Sequence, residues 1–214
     1  MEPPSSERAK RAIARLYSGM ARHLYEPLVV KGAFRLFGGS LIRRVFEHGR
    51  AAVEAAPGAP ILDMPVGTGF FAAEMAALHN HLVVGVDIAR GMVERSAERA
   101  RERGLANLAV VQGDAHHLPF PDGVFGAVVC SNGLQVIPGL DPAVRELVRV
   151  LAPGGYLFCS VLTAPIPVIG SRAMLPTVLR PGGDVARAFE RAGLEVLAFE
   201  RARFATLIRA RREL

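Results

Sequence analysis
Apolar side chains recur at helical spacing near the N-terminus and in short continuous runs beyond residue 60. Ala9, Ala12, Ile13, Leu16, Tyr17, Met20 and Leu24 fall on one face, with Arg8, Arg11, Arg15 and Arg22 between them. That spacing predicts a basic amphipathic helix, with Ser5 and Ser6 as cap residues and Glu7 in its first turn. Residues 28–56 read as further helix, broken near Gly38 and Gly39. Pro57-Gly58-Ala59-Pro60 is a turn. After it, residues 61–64 form a short apolar strand, and 82–86, 108–112, 124–131 and 156–161 predict four more. Helical stretches separate them over 70–79 and 91–103, the second closed by Gly104. Another begins at Asp141-Pro142, with proline in the first position, and stops at Pro153-Gly154-Gly155. Asp184 is placed to cap a last helix closed by Gly193, and residues 194–199 and 204–209 follow as strands.

Strands alternating with helices build a parallel sheet covered on both faces. Right-handed crossovers make it doubly wound. The short link between the final two strands permits only an antiparallel pair. The expected fold is therefore α/β: a Rossmann-like sheet of seven strands, mostly parallel with an antiparallel last strand, plus N-terminal helices. The turn at 57–60 divides the chain into a helical cap over the active site, 1–56, and a ligand-binding domain, 57–214.

Ligands of such sheets bind beyond the carboxyl ends of the strands, at the point where strand order reverses. Asp63-Met64-Pro65-Val66-Gly67-Thr68-Gly69 makes the turn after the first strand, where Gly67 and Gly69 let backbone approach a ligand closely. Asp87 ends the second strand, and its two oxygens match the vicinal hydroxyls of a ribose. Gly67 to Ala72 also fits the dinucleotide fingerprint G-x-G-x-x-A, and Asp87 its ribose rule, so an NAD(P)-dependent oxidoreductase is one reading. Asp63 favours another. A carboxylate beside the turn would repel a pyrophosphate and attract an ammonium. S-adenosylmethionine (SAM) has a ribose, an adenine and an ammonium, and no phosphate. Gly113-Asp114-Ala115 follows the third strand, where Asp114 can accept from an exocyclic amine and the Ala115 amide can serve a ring nitrogen. Ile88 can pack on the adenine.

The stretches ILDMPVGTGFFA, VVGVDIARGMVERSAERA, VVQGDAHHLPFPDGVFGAVVCSNGLQVIP and ELVRVLAPGGYLF resemble, in order over about 57–162, the motifs of class I SAM-dependent methyltransferases. They are most similar to the small-molecule branch that includes the ubiquinone and menaquinone biosynthesis enzymes. The segment from Tyr17 to Tyr25, YSGMARHLY, resembles the aromatic helix with which that branch covers its cofactor. The resemblance implies that 57–214 is the SAM-binding methyltransferase domain, that the product is S-adenosylhomocysteine, and that Tyr17, Met64, Met92, Ser131 and Asn132 join Asp63, Gly67, Gly69, Asp87, Ile88, Gly113, Asp114 and Ala115 at the cofactor. Three positions depart from the pattern. Pro65 replaces the usual first glycine, Gly126 a common aspartate, and Gln135 a frequent histidine.

A sulfonium methyl group is already activated, so its transfer by in-line displacement needs mainly positioning. A base is required only where the acceptor must lose a proton, and His116 and His23 are the candidates. The acceptor pocket is expected from the N-terminal helices and from the apolar segment Thr163–Pro181. That points to a small apolar or aromatic molecule taking the methyl on an O or C atom. A non-catalytic SAM-binding regulator fits the same motifs. No His or Cys spacing suggests a metal.

Charge alters this picture little. The chain of 214 residues carries a net charge of +6 and only two lysines, Lys10 and Lys31. Residues 1–50 hold ten basic and four acidic side chains, whereas 51–179 hold eight and eleven. Residues 180–214 hold eight and five, so the excess base lies on the N-terminal helices and the tail, away from the expected ligand face. That argues against a nucleic-acid partner and leaves a solvated face or peripheral contact with a membrane surface. The start lacks a signal-peptide h-region, no apolar run is long enough to span a bilayer, and the two cysteines fit a reducing cytosol. A cytoplasmic enzyme is expected.

Overall fold
The computed structural model describes residues 6–21, 39–162, 181–202 and 205–214. Helices α1 (Ser6–Met20) and α2 (Gly39–Ala55) precede β1 (Ile61–Asp63), α3 (Phe70–Leu78), β2 (Val83–Asp87), α4 (Arg90–Glu102) and β3 (Leu108–Gln112). Then come β4 (Phe125–Ser131), α5 (Leu140–Val150), β5 (Leu151–Leu162), α6 (Gly182–Arg191), β6 (Leu194–Arg201) and β7 (Ala205–Arg212). The strands form one sheet in the order β3-β2-β1-β4-β5-β7-β6. β1 to β5 pair in parallel, and β7 is inserted antiparallel between β5 and β6. This is the expected seven-stranded doubly wound arrangement.

Alternation along the strands sorts the core into two layers, because successive side chains point to opposite faces. Leu62, Val84, Val128, Cys130, Leu157 and Cys159 meet α5 and α6 through Val144, Leu147, Val185 and Phe189. Ile61, Val83, Ala127, Val129 and Phe158 face the other way, toward Ala52 and Ala56, Ala72 to Ala76, and Ala100. α2, grouped by sequence with the N-terminal cap, thus contributes to the layer on this sheet face. Gly126 explains one departure from the family pattern: a Cβ there would lie 2.8 Å from that of Ala59 and 2.9 Å from that of Ala56. The end of α2 packs too close for an aspartate.

Three boundaries differ from expectation. α5 begins at Leu140 after Gly139, whose φ of 68° makes the glycine the N-cap, and Asp141 sits inside the first turn. There it pairs with Arg191 rather than capping the helix. Pro153-Gly154-Gly155 lies within β5, not before it. Gly155 permits this, since a Cβ would meet the Gly126 carbonyl oxygen at 2.9 Å. α6 likewise starts at Gly182, with Asp184 in its first turn. No helix among the described residues is long and apolar enough to cross a membrane.

Candidate active site
The order β3-β2-β1-β4 sets the carboxyl ends of four strands side by side, with Asp63, Asp87, Gln112 and Ser131 as their last residues. The chain leaving β1 holds to both neighbours: the Met64 amide donates to the Val129 carbonyl at 3.0 Å, and the Val66 amide to the Val86 carbonyl at 2.8 Å. Val66 then lies over Gly85, where a Cβ would be only 2.6 Å from it. Gly67 and Gly69 turn the chain into α3 with φ of 55° and 74°, a conformation side chains disfavour. Pro65 contributes no amide, but its ring fills space against the loop after β4: a Cβ on Gly133 would fall 2.0 Å from Pro65 Cδ.

Asp87 fastens this turn. Its Oδ2 accepts from the Gly67 amide at 3.0 Å and its Oδ1 from the Ala89 amide at 2.9 Å. Each oxygen retains acceptor capacity for another donor. Burial raises the Asp87 carboxyl to about 6 against the pull of these amides. Asp63 is 1% exposed, and its Oδ1 has no hydrogen-bond partner among the described residues. Burial, and then the charge of Asp87, push the Asp63 carboxyl up to about 8. An unpartnered buried carboxylate is costly and is relieved by a cation.

A family model described as a methyltransferase domain matches residues 62–159. The demethylmenaquinone methyltransferase of Thermobifida fusca is 34% identical over 165 residues, covering 70% of this chain and 70% of its own. The ubiquinone/menaquinone biosynthesis C-methyltransferase UbiE of Pseudomonas putida is 33% identical over 174 residues, covering 79% of this chain and 65% of its own. The chain belongs to the class I SAM-dependent methyltransferases. It is a SAM-dependent enzyme of the small-molecule branch. A SAM-dependent methyltransferase from Aquifex aeolicus superposes with a TM-score of 0.69 at 18% identity, over 92% of this chain and 97% of that one, which shows the shared fold.

The residues of a methyltransferase fit SAM here on their own chemistry. Asp63 Oδ1, without a partner among the described residues, would suit an ammonium, the remaining lone pairs of Asp87 would suit a ribose, and the glycine turn would allow a close backbone approach. The cofactor supplies the electrophilic methyl; the chain binds and orients it.

The other candidates lie on α1 and α4, or at or just after the ends of β1 to β4. Tyr17 and Ala21 of the N-terminal segment pack with the buried Ala89 and Met92. Burial and the charge of Asp87 raise the Tyr17 phenol. Ser18 Oγ accepts from the Gly91 amide at 3.2 Å, so α1 rests on the first turn of α4. Gly113 donates to the Asp87 carbonyl at 3.0 Å, which ties the β3 turn to β2. The Ala115 side chain is buried in the core, and Ile88, at the end of β2, is half-buried. Ser131 is in register with Ser160. Asn132, at φ 55°, accepts from Ser160 Oγ at 3.1 Å.

Two residues are engaged in ways the sequence does not suggest. Asp114 Oδ2 takes the ammonium of Lys10 at 2.7 Å, and its Oδ1 takes the amide and Nδ1 of His116 at 3.0 and 2.9 Å. Burial would raise this carboxyl, but the hydrogen bonds from Lys10 and His116 lower it to about 2. The Nε2 of His116 faces the Gly139 carbonyl at 3.0 Å. Both ring nitrogens therefore meet acceptors, and neither is directed as a base toward an acceptor molecule. His23, Tyr25 and residues 163–180 of the expected pocket wall lie outside the described residues. Gln135 was noted only as a departure. It is buried after β4, donates to the Asn132 carbonyl at 2.8 Å, and leaves Oε1 without a partner among the described residues. Cys130 and Cys159 pair in register on β4 and β5, both buried and free.

Proposed function
We propose that this enzyme transfers the methyl group of SAM to a ring carbon of a small, lipophilic aromatic acceptor of the reduced-quinone type. The observation that carries the cofactor half is Asp63, whose buried, unpartnered Oδ1 stands beside the Asp87 carboxylate at the ends of β1 and β2. In this reading Asp63 holds the ammonium, Asp87 the ribose hydroxyls, and Tyr17 with Met92 walls the nucleoside. Ile88, Gly113, Asp114 and Ala115 border the adenine, while Met64, Gly67, Gly69, Ser131 and Asn132 border the methionine portion. α1 covers the cofactor.

Carbon methylation is favoured by the relatives whose names are demethylmenaquinone methyltransferase and C-methyltransferase. An electron-rich ring carbon attacks the methyl in line, and the ring proton is lost afterwards. Holding the two reactants in line can lower the barrier by about 7–11 kcal/mol, so the chain's main contribution is orientation. The test incubates the purified protein with methyl-labelled SAM and either a short-chain demethylmenaquinol or a catechol. We expect S-adenosylhomocysteine with the label on carbon in the first case. Label on oxygen would transfer the reading to O-methylation, and no product from either acceptor would defeat the proposed acceptor class.

A further inference from the structure
Lys10 lies 104 positions from Asp114 in sequence, yet its Nζ stands 2.7 Å from Asp114 Oδ2 with 8% of its side chain exposed. A second bond runs to Glu7 Oε1 at 3.1 Å. An ammonium has three donors, so one N–H remains. Asp114 Oδ1 is filled by two bonds from His116, whereas Oδ2 has taken only Lys10 among the described residues and retains a lone pair. The carboxylate is 28% exposed, so a ligand can still reach it.

Seven residues further along α1, Tyr17 packs beside Ala89 and Met92, and Ser18 binds Gly91. Seven helical residues span about 10 Å, comparable with the length of a nucleoside. One end of α1 is thus fixed at the turn after β3 and the other beside the end of β2. These are the two ends at which the proposed cofactor site would hold an adenine amine and a ribose.

We infer that Lys10 is a positioning residue for the cofactor: its ion pair with Asp114 latches α1 across the adenosine, so that helix docking and SAM binding reinforce each other. This rests on the assignment of the SAM site to the Asp63–Asp87 end of the sheet. The latch also orients Asp114, leaving the spare lone pair of Oδ2 for an incoming amine. Coupling of this kind requires SAM to favour the docked helix, because a ligand shifts only an equilibrium whose states it distinguishes.

The test measures SAM affinity and dissociation for the full chain, wild type, Lys10→Met and Lys10→Arg. Removing the charge should raise Kd and the off-rate about tenfold, the lower scale of a charge-assisted hydrogen bond, with little change in the on-rate. Arginine should restore most of the loss. In an Asp114→Asn background, Lys10→Met should add little, since coupled residues are not additive. Hydrogen exchange at residues 6–20 should slow on addition of SAM in the wild type and much less in Lys10→Met. Wild-type affinity and off-rate in Lys10→Met would overturn the inference, as would equal losses in both lysine variants with reduced helical content. Asp87→Ala separates the two readings. Weakened SAM binding there, with Lys10→Met unaffected, removes the latch and keeps the site; unweakened binding removes the site itself.

Discussion
Burial, and with it the charge of the neighbouring Asp87, holds the Asp63 carboxyl at about 8, so the free protein at neutral pH keeps a proton on the group proposed to take the ammonium of SAM. Binding an ammonium at Asp63 must expel that proton. SAM affinity should therefore rise between about pH 6 and pH 8 as the carboxyl ionises, by up to about tenfold per unit below its pKa. At pH 7 close to one proton should be released per cofactor bound. Calorimetry in buffers of different ionisation enthalpy checks this; identical enthalpies in phosphate and Tris would contradict it.

The same shift has a stability sign. Asp63 titrates near 3.8 when unfolded and near 8 when folded. Its stabilising contribution is complete below the unfolded value and is lost as pH rises through the folded one. Asp63→Asn has no proton to lose there. Without cofactor it should melt above the wild type at pH 8, by about 2–4 °C for each kcal/mol recovered in a chain of this size, with the gain shrinking toward pH 5. It should also bind SAM more weakly. A melting profile with the same pH dependence in both proteins would remove Asp63 as the titrating group.

Asp87→Ala removes acceptors from the Gly67 and Ala89 amides and, in the proposed site, from the ribose. We expect about 10–100-fold weaker SAM binding, the range for hydrogen bonds to a charged group. S-adenosylhomocysteine should weaken in parallel because it has the same ribose. Calorimetric titration of both ligands tests this, and unchanged Kd values would displace the cofactor site from this edge.

Gly133→Ala should be disruptive although alanine is small, because its Cβ would fall 2.0 Å from Pro65 Cδ. We expect a loss of about 1–3 kcal/mol, the usual cost of overpacking. In a Pro65→Gly background, where the obstructing ring is gone, Gly133→Ala should cost much less. Denaturant unfolding of the single and double variants reads the coupling directly. Additive losses would show that the two loops do not constrain each other.

The fold was legible because its signals are local. Short apolar runs separated by glycine turns specify strands and helices wherever one side chain in two, or one face in four, must be buried. The antiparallel end followed from loop length alone. Element boundaries were less accessible: Gly139 takes a left-handed cap ahead of Asp141-Pro142, and β5 continues through Pro153-Gly154-Gly155. Asp63 and Asp87 could be found because each ends a strand beside a recognisable turn. Lys10 was hidden, since an arginine-rich amphipathic helix does not show which of its cations turns inward toward a carboxylate 104 positions away. The bonding of His116 was hidden for the same reason, as its Nε2 partner is the backbone of the turn before α5.

β7 lies between β5 and β6, so among the described residues β6 has no sheet neighbour except the strand that follows it. The two form a hairpin held to the rest of the sheet through the ladder from Tyr156–Arg211 to Leu162–Ala205. α6 travels with the hairpin, since Gly182 packs directly on Thr206. Were this unit to lift away, the buried Cys159 would lose its partner Ile208 while the strand ends bearing Asp63 and Asp87 would keep their neighbours. The labelling rate of the Cys159 thiol would then read an opening of this half of the sheet, apart from the strand ends proposed to hold the cofactor.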